Sequence, residues 1–594
     1  MLFLMDAALF VLAGPGLTLF IYFFFFSCRR CFDADRVKQR VSRMSVVPGV
    51  RETGVEEARE PSFLQELGEG PRCTAAAPAR LRGDPWRYLV GITFCLLSIS
   101  NAMQWITFGA IVDEVRLYFN MSSVQVNHLA TTYVIAYVSI VFLSCKLYEL
   151  TGLKVGIVIA AAANTIGSSL KLVAVYVWPN MTLLYMAQVM NSITEVLTIA
   201  TPPLIANRWF PEGQRMIANT VLSSALNLGC GVGVLVPTFF VAPEKQERKH
   251  FANLFWFQFS LCACVLLMAI FFVPSRPRYM ASYAAARQQR GEEKRLKAVR
   301  GIFKGHIGQS DGELEQHEHE QQQDSEQPPQ QQQHQGPEEE GDTYLTDEND
   351  EQEVQPINVF STIMDSLRML KKNPSFAFLM IASAAELGLI WAVATVLPQC
   401  LTPFGVSEVE SGWISFLNLV FGTIVAPFFT HFVERKRQYK TVLVFIAMLL
   451  TINMSIFVFM LVFGPSPHEN RTYYVVAAFI LWGGVAGLCQ NFIMPLMLEF
   501  VIELTFPMAE STSAPTLMWA ACLSNLILTV VFGEVLGEHP TRGEALNVFM
   551  GATLVCFIGG LALLLVYPYG RRREYELLMK ERDETQQFSP PLQE

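Results

Sequence analysis

Glu315–Gln335 reads EQHEHEQQQDSEQPPQQQQHQ, and no packed core can be built from it. The tract lies inside a polar segment, 275–373, that opens with basic residues from Arg276 to Lys304. It then has no Lys or Arg before Arg368. Its few apolar side chains cannot offset the entropy of ordering the chain, so the whole segment is expected to be disordered. On each side of it stand six apolar runs of about 20 residues, the length needed to cross a bilayer as a helix. The polar segment therefore divides an all-α membrane protein into two halves.

The composition agrees. Of 594 residues, 52% are hydrophobic despite the polar segment, and the mean hydropathy is +0.32. Concentrated in runs, this is a lipid-bilayer protein. The net charge of −9 comes mostly from the central segment and says little about partners. No basic stripe with interleaved aromatics points to nucleic acid. The twelve cysteines are scattered, several within apolar runs (Cys95, Cys262, Cys264, Cys522, Cys556), without metal-ligand or disulfide-framework spacing. Neither a metal nor a cofactor is expected.

The first apolar run, 7–27, is followed by Arg29 and Arg30. A cleaved signal would carry its charges on the other side. Residues 1–31 are thus expected to form an extra N-terminal transmembrane helix, with 32–83 a polar cytoplasmic linker. The first bundle, 84–274, opens at Asp84-Pro85-Trp86, a helix-start signal. Its spans are predicted at 87–112, 127–147, 154–177, 181–206, 215–241 and 251–273. The second bundle, 374–568, has spans at 376–400, 410–432, 440–463, 473–499, 512–534 and 545–568. A cytoplasmic tail, 569–594, ends the chain.

Charge sets the orientation. Lys146 and Lys154, Arg208 and Arg215, and Arg435–Lys440 fall in alternate short loops, on the side of the basic start of the central segment and Arg571–Arg573. That side is predicted to be cytoplasmic, although Lys245, Arg248 and Lys249 run against the pattern. Three glycosylation sequons, at Asn120, Asn180 and Asn470, all fall in the loops this places outside. The plasma membrane is the expected location.

The halves share punctuation. Asp84-Pro85 matches Asn373-Pro374, Trp105 matches Trp391, Glu149 matches Glu434, and Phe210-Pro211 matches Phe506-Pro507, at offsets of 285 to 296 residues. Duplicated six-helix units joined by a long cytoplasmic loop describe a major facilitator fold, whose site lies at mid-membrane between the halves. The 2–3 loop, Leu147 to Lys154, resembles the signature of that superfamily, with Glu149 in place of the usual Asp before Gly152 and Lys154. Those three residues read as a charge latch holding the halves in one state. An ordinary solvated turn is the plainer alternative.

Trp105, in Asn101-Ala102-Met103-Gln104-Trp105-Ile106, lies deep in the first span, and Trp391 lies at comparable depth in its repeat partner. Trp prefers the membrane interface, so a deep symmetric pair suggests a cage for an organic cation, whereas either ring alone also fits simple packing. Four ionisable residues fall within spans: Lys171, Glu195, Glu386 and Glu499. Each should face the interior, a partner or water. Glu195 and Glu386 could attract a cation or hold a coupling proton, and Lys171 could pair with an acid. Glu499 and Glu503, four apart near the cytoplasmic end, suit a gating role. Gly229-Cys-Gly231-Val-Gly233 sits in a span and reads as close helix packing, not a nucleotide loop. No nucleophile–base–acid set shares one membrane depth, so no enzyme is expected.

From Asn101 to Ile106 the chain resembles the feline leukaemia virus subgroup C receptor-related transporters. The resemblance continues in Trp209-Phe210, in Asn227-Leu228-Gly229 to Pro237, in Pro495-Leu496, in Glu499 to Pro507 and in Glu510-Ser511-Thr512-Ser513. It covers roughly 85–275 and 370–568. It implies transport of choline and ethanolamine, or of haem. Trp105 falls on the first-span cavity Trp of that family, and Trp391 falls where it carries an aromatic Tyr. Asn227 and Cys522 replace Gln residues. The candidate substrate contacts, from the residue reading and the resemblance together, are Trp105, Trp391, Gln104, Asn101, Asn227, Glu195 and Glu386. A transporter-like receptor or sensor is the reading from another class.

Overall fold

The computed structural model describes residues 83–177, 181–241, 247–286, 289, 359–436, 439–466, 470–506, 508–537, 540–567, 572–573 and 575–580. The expected N-terminal helix, the linker up to residue 82 and most of the central segment lie outside these residues.

Helix α1 (Arg87–Ala110) is the first span. Asp84 Oδ1 accepts the Trp86 N–H at 3.0 Å just ahead of it, satisfying one of the donors that a helix start leaves open. The short α2 (Val112–Phe119) closes on Asn120, whose φ of 54° is left-handed. Helix α3 (Ser123–Tyr176) opens with a capping box of Ser122 and Gln125. Its apolar part, His128–Tyr176, is 49 residues long. Unbroken, that would extend about 74 Å at 1.5 Å per residue, more than twice the hydrocarbon core. Gly152, at φ 79° and ψ 174°, breaks it into the second and third spans.

The fourth span is bent by 42° between α4 (Met181–Thr198) and α5 (Pro202–Trp209). Pro202 and Pro203 lack the N–H groups that would continue α4. Helices α6 (Arg215–Phe240) and α7 (Arg248–Phe272) complete the first half.

Helix α8 (Val359–Lys372) lies within the segment expected to be disordered, and 283–286 at its start are helical too, with Ser282 and Ala284 buried, so that expectation needs correcting at both ends. Val359, Phe360, Ile363, Met364, Leu367 and Leu370 recur at helical spacing there. Buried Ser366 meets the Thr516 hydroxyl at 3.2 Å, which ties α8 to the eleventh span.

The seventh span runs through α9 (Pro374–Ser383), a π-helical turn at Ala384–Gly388, and α10 (Leu389–Leu401). Helices α11 (Glu408–Lys436) and α12 (Tyr439–Phe463) follow. The tenth span combines α13 (Arg471–Ala478), a π-helical stretch at Phe479–Ala486, and α14 (Gly487–Thr505). Helices α15 (Glu510–Leu536) and α16 (Arg542–Leu565) are the last spans. The described residues thus form twelve spans at the predicted places.

Packing repeats with the sequence. Span 1 packs on span 5 and span 7 on span 11, while span 3 packs on span 6 and span 9 on span 12. The glycine motif does close-pack: a Cβ on Gly229 or Gly233 would lie 2.7 and 2.8 Å from the Cα atoms of Ile99 and Met103. Between the halves, α3 lies on α15, and α6 lies on α11 and α14.

Candidate functional site

We call the face carrying the Glu149–Lys154 turn the base and the opposite face the mouth. Hydrogen bonds cross between the halves at the base and at mid-depth. At the base, the Thr512 hydroxyl donates to Glu149 Oε1 at 3.0 Å, and Lys146 Nζ donates to Glu149 Oε2 at 3.2 Å. Glu149 thus joins α3 to α15, with Lys146 as its basic partner in place of Lys154. Gly152 supplies the chain break, and Lys154 is half-buried at the start of the third span.

Deeper in, the Met216 N–H donates to Glu434 Oε1 at 3.3 Å, Asn219 Nδ2 to the Pro495 carbonyl at 3.0 Å, and Thr220 to Thr430 at 3.0 Å. The Trp519 indole donates to the Val138 carbonyl at 3.1 Å. Glu499 is buried within electrostatic reach of Arg215 from the first half and Arg572 from beyond the last span, and Glu503 lies close by. Arg572 pairs with Glu510 at 3.3 Å, and both side chains are almost wholly buried. Burial alone would lower the Arg572 pKa. The carboxylates of Glu510, Glu499, Glu503 and Glu576 outweigh it, so the guanidinium is held above its ordinary value.

After Arg572 the chain crosses back beneath the first half. Glu576 accepts the N–H groups of Tyr283 and Ala284 at 3.2 and 2.9 Å, and Lys580 meets Glu212 at 3.1 Å. The base is closed by groups from both halves and by the tail.

At mid-depth Asn227 Nδ2 donates to Asn491 Oδ1 at 2.6 Å, joining α6 to α14. Asn491 is itself held by the Thr423 hydroxyl at 3.2 Å and by the Gly487 carbonyl at 2.9 Å. Glu195, on α4, is buried within electrostatic reach of Tyr133, Tyr137, Cys230 and Cys522. Cys522 belongs to the second half, so this carboxyl lies where the halves meet.

Trp105 is half-buried; its indole donates to the Ala130 carbonyl at 3.1 Å, and its ring centroid lies 6.5 Å from that of Tyr133. Trp391 is also half-buried, and Thr395 and Gln399, one and two turns further along the same face, are exposed. Thus Glu195 and Asn227 lie where the halves meet, while the helices of Trp105 and Trp391 pack mainly within their own halves.

Asn101, Gln104 and Glu386 are placed elsewhere. Asn101 and Gln104 turn into the first bundle. Gln104 Nε2 donates to Asn164 Oδ1 at 2.9 Å and to Cys262 Sγ at 3.2 Å, and its Oε1 accepts from Ser168 and Asn191 at 3.0 Å each. Asn101 Nδ2 donates to the Asn191 carbonyl at 2.8 Å. Lys171 does not pair with an acid among the described residues; its Nζ lies 5.0 Å from the Phe108 ring centroid. Glu386 is enclosed in the second bundle beside Gly559. The buried polar network was the feature not anticipated. Its signal was Asn164, Ser168 and Lys171 at spacings of four and three, one face of the third span. Among the described residues, no cluster of His, Cys, Asp or Glu could hold a metal ion.

The chain matches the Major Facilitator Superfamily over residues 94–507. It is 23% identical over 502 residues to the choline/ethanolamine transporter FLVCR1 of Felis catus, spanning 83% of this chain and 74% of that one. It is 22% identical to the human choline/ethanolamine transporter FLVCR2 (80% and 77%) and to solute carrier family 49 member A3 of Xenopus tropicalis (77% and 80%). Its fold is similar to that of the proton:xylose symporter XylE bound to 6-bromo-6-deoxy-D-glucose, with a TM-score of 0.53 at 14% identity over 83% of this chain and 99% of that one. It is also similar to the human organic anion transporter MFSD10, with a TM-score of 0.51 at 12% identity over 81% and 99%.

Proposed function

The chain belongs to the Major Facilitator Superfamily, and from that premise we propose that it moves a small organic cation of the choline or ethanolamine type by alternating access. It is a multi-pass integral membrane protein. In this reading the base faces the cytoplasm of the plasma membrane, and the present state opens outward, with the substrate entering from the mouth.

The observation that carries the reading is the Glu195 carboxyl among Tyr133, Tyr137 and Cys522 at the seam, with the half-buried Trp105 ring beside Tyr133. A carboxyl and electron-rich ring faces attract a desolvated ammonium, and each ring contributes about 1–2 kcal/mol. Trp391 is assigned to the opposite wall. Asn227 positions the floor through Asn491. The latch formed by Glu149 and Thr512, with the Glu499–Glu503–Arg215–Arg572 cluster beneath, separates when the base opens.

Uptake of labelled choline, ethanolamine and haem by cells expressing this chain tests the reading. Trp105→Leu should weaken choline uptake more than Trp105→Phe at matched surface expression, because Leu has no π face. Haem uptake without choline uptake would replace the assigned substrate. Choline binding without flux would make the protein a sensor.

A further inference from the structure

The seventh span changes pitch for one turn, Ala384–Gly388, and Glu386 is the middle residue of that turn. Isolated π-turns in helices are uncommon and gather at functional positions. The Glu386 side chain is fully buried, and neither carboxyl oxygen has a hydrogen-bond partner among the described residues. The bundle is shut tightly around it. A Cβ on Gly559 of α16 would lie 2.7 Å from Glu386 Oε1, and one on Gly388 would lie 2.6 Å from the Ala521 carbonyl of α15.

What faces the carboxyl decides its ligand. From α14 comes the Cys489 thiol and from α16 the Cys556 thiol. From α15, Ala521, Ser524 and Asn525 lie against the turn. The seventh and eleventh spans contain no Lys, Arg or His, and the tenth and twelfth have basic residues only at their mouth ends, Arg471 and Arg542. Among the described residues no cation pairs with the carboxyl here. A metal ion would need several ligands, and among the described residues no group of three or more His, Cys, Asp or Glu could hold one. A proton needs one oxygen. An unpaired carboxylate in hydrocarbon surroundings costs several kcal/mol, far more than the neutral acid.

We propose that Glu386 is a proton-binding site, loaded while the base is closed and emptied in the opposite state. The π-turn supplies the means. Converting it to α-helix shifts the register by one residue, a rotation of about 100°. That rotation turns Glu386 out of the bundle interior relative to Trp391, five residues along on the helix assigned to the substrate wall. The carboxylic acid then ionises to a carboxylate and a proton, and the proton passes to water on the open side. Proton occupancy stands on the geometry alone. Its coupling to substrate rests on the function proposed above.

Two readouts separate these layers. In purified full-length protein, the carboxylic C=O infrared band present at pH 7 should be missing from Glu386→Gln, an isosteric neutral variant. In proteoliposomes holding a pH-sensitive dye, choline uptake by the wild type should move protons. Glu386→Gln should carry out choline exchange without a proton signal. Identical carboxylic bands in the two proteins would overturn the proton site. A lost band with choline uptake but no proton movement would overturn the coupling. A lost band in a protein that moves no choline would support the site and refute the proposed substrate.

Discussion

Thr512→Val removes one hydroxyl and keeps the side-chain shape. In the closed base that hydroxyl donates to Glu149 Oε1 at 3.0 Å, the bond that joins α3 to α15 at their ends. A hydrogen bond to a charged acceptor contributes about 1.5–3 kcal/mol. Glu149 keeps Lys146 at 3.2 Å and its side chain is 13% exposed, so the lower end applies. A loss of about 1.5 kcal/mol from the closed state alone raises the ratio of open to closed base roughly tenfold. Spin labels at Val155→Cys and Lys371→Cys, both exposed at the base, report that ratio as two populations in the distance distribution. The longer-distance population should grow by that factor in Thr512→Val. Glu149→Gln, which weakens the bonds to both Thr512 and Lys146, should shift it further. An unchanged distribution in both variants would refute the latch.

The remaining predictions concern packing, charge and orientation. Gly487→Ala places a Cβ 2.7 Å from the Asn418 Cα, which cannot move aside, and should sharply lower the yield of folded protein. Gly484→Ala, whose Cβ would lie no nearer than 3.9 Å to a neighbour, the Phe479 carbonyl, should be tolerated; comparable loss in both, by fluorescence-detected size exclusion, would contradict the packing. Arg572→Met leaves the Glu510 carboxyl buried without its partner and should cost about 3–5 kcal/mol, read as a lower melting temperature. Adding Glu510→Gln should restore much of the loss, and no recovery in the double variant would deny the pairing. Asn120→Gln and Asn470→Gln should each remove one glycan in mammalian cells if the mouth faces outward; absence of glycan on the wild type at both positions would reverse the assigned orientation.

Twelve spans were legible because a bilayer demands about 20 apolar residues from each helix, and among the described residues the sequence meets that demand twelve times. Gly152 was legible too, since only glycine readily takes its backbone conformation. The partners of charged residues were harder. Glu149 lies beside Lys154 in the loop sequence but pairs with Lys146, because residues three apart share a helix face. Arg572 comes from past the last span, and nothing local marks it as a partner of Glu510, 62 residues earlier in the chain. Asn101 and Gln104 share a short motif with Trp105, yet successive helical residues point in different directions: the amides enter the bundle while the ring remains half-buried beside Tyr133. The π-turn at Ala384–Gly388 has no sequence mark that composition or periodicity would reveal.

Two bodies fastened at one end behave as a lever. The bonds that join the halves here run from mid-depth to the base, and the tail adds its own ties beneath. Force applied near the mouth therefore acts with the longest arm about that fulcrum. The sideways push of lipid chains varies with depth in a bilayer, so its effect on the two rims of the molecule need not cancel. Lipids that crowd the leaflet around the mouth exert a torque that pries at the base. Lipids that crowd the other leaflet press the base shut. In the cycle proposed above, the surrounding membrane is then a mechanical input to the lever.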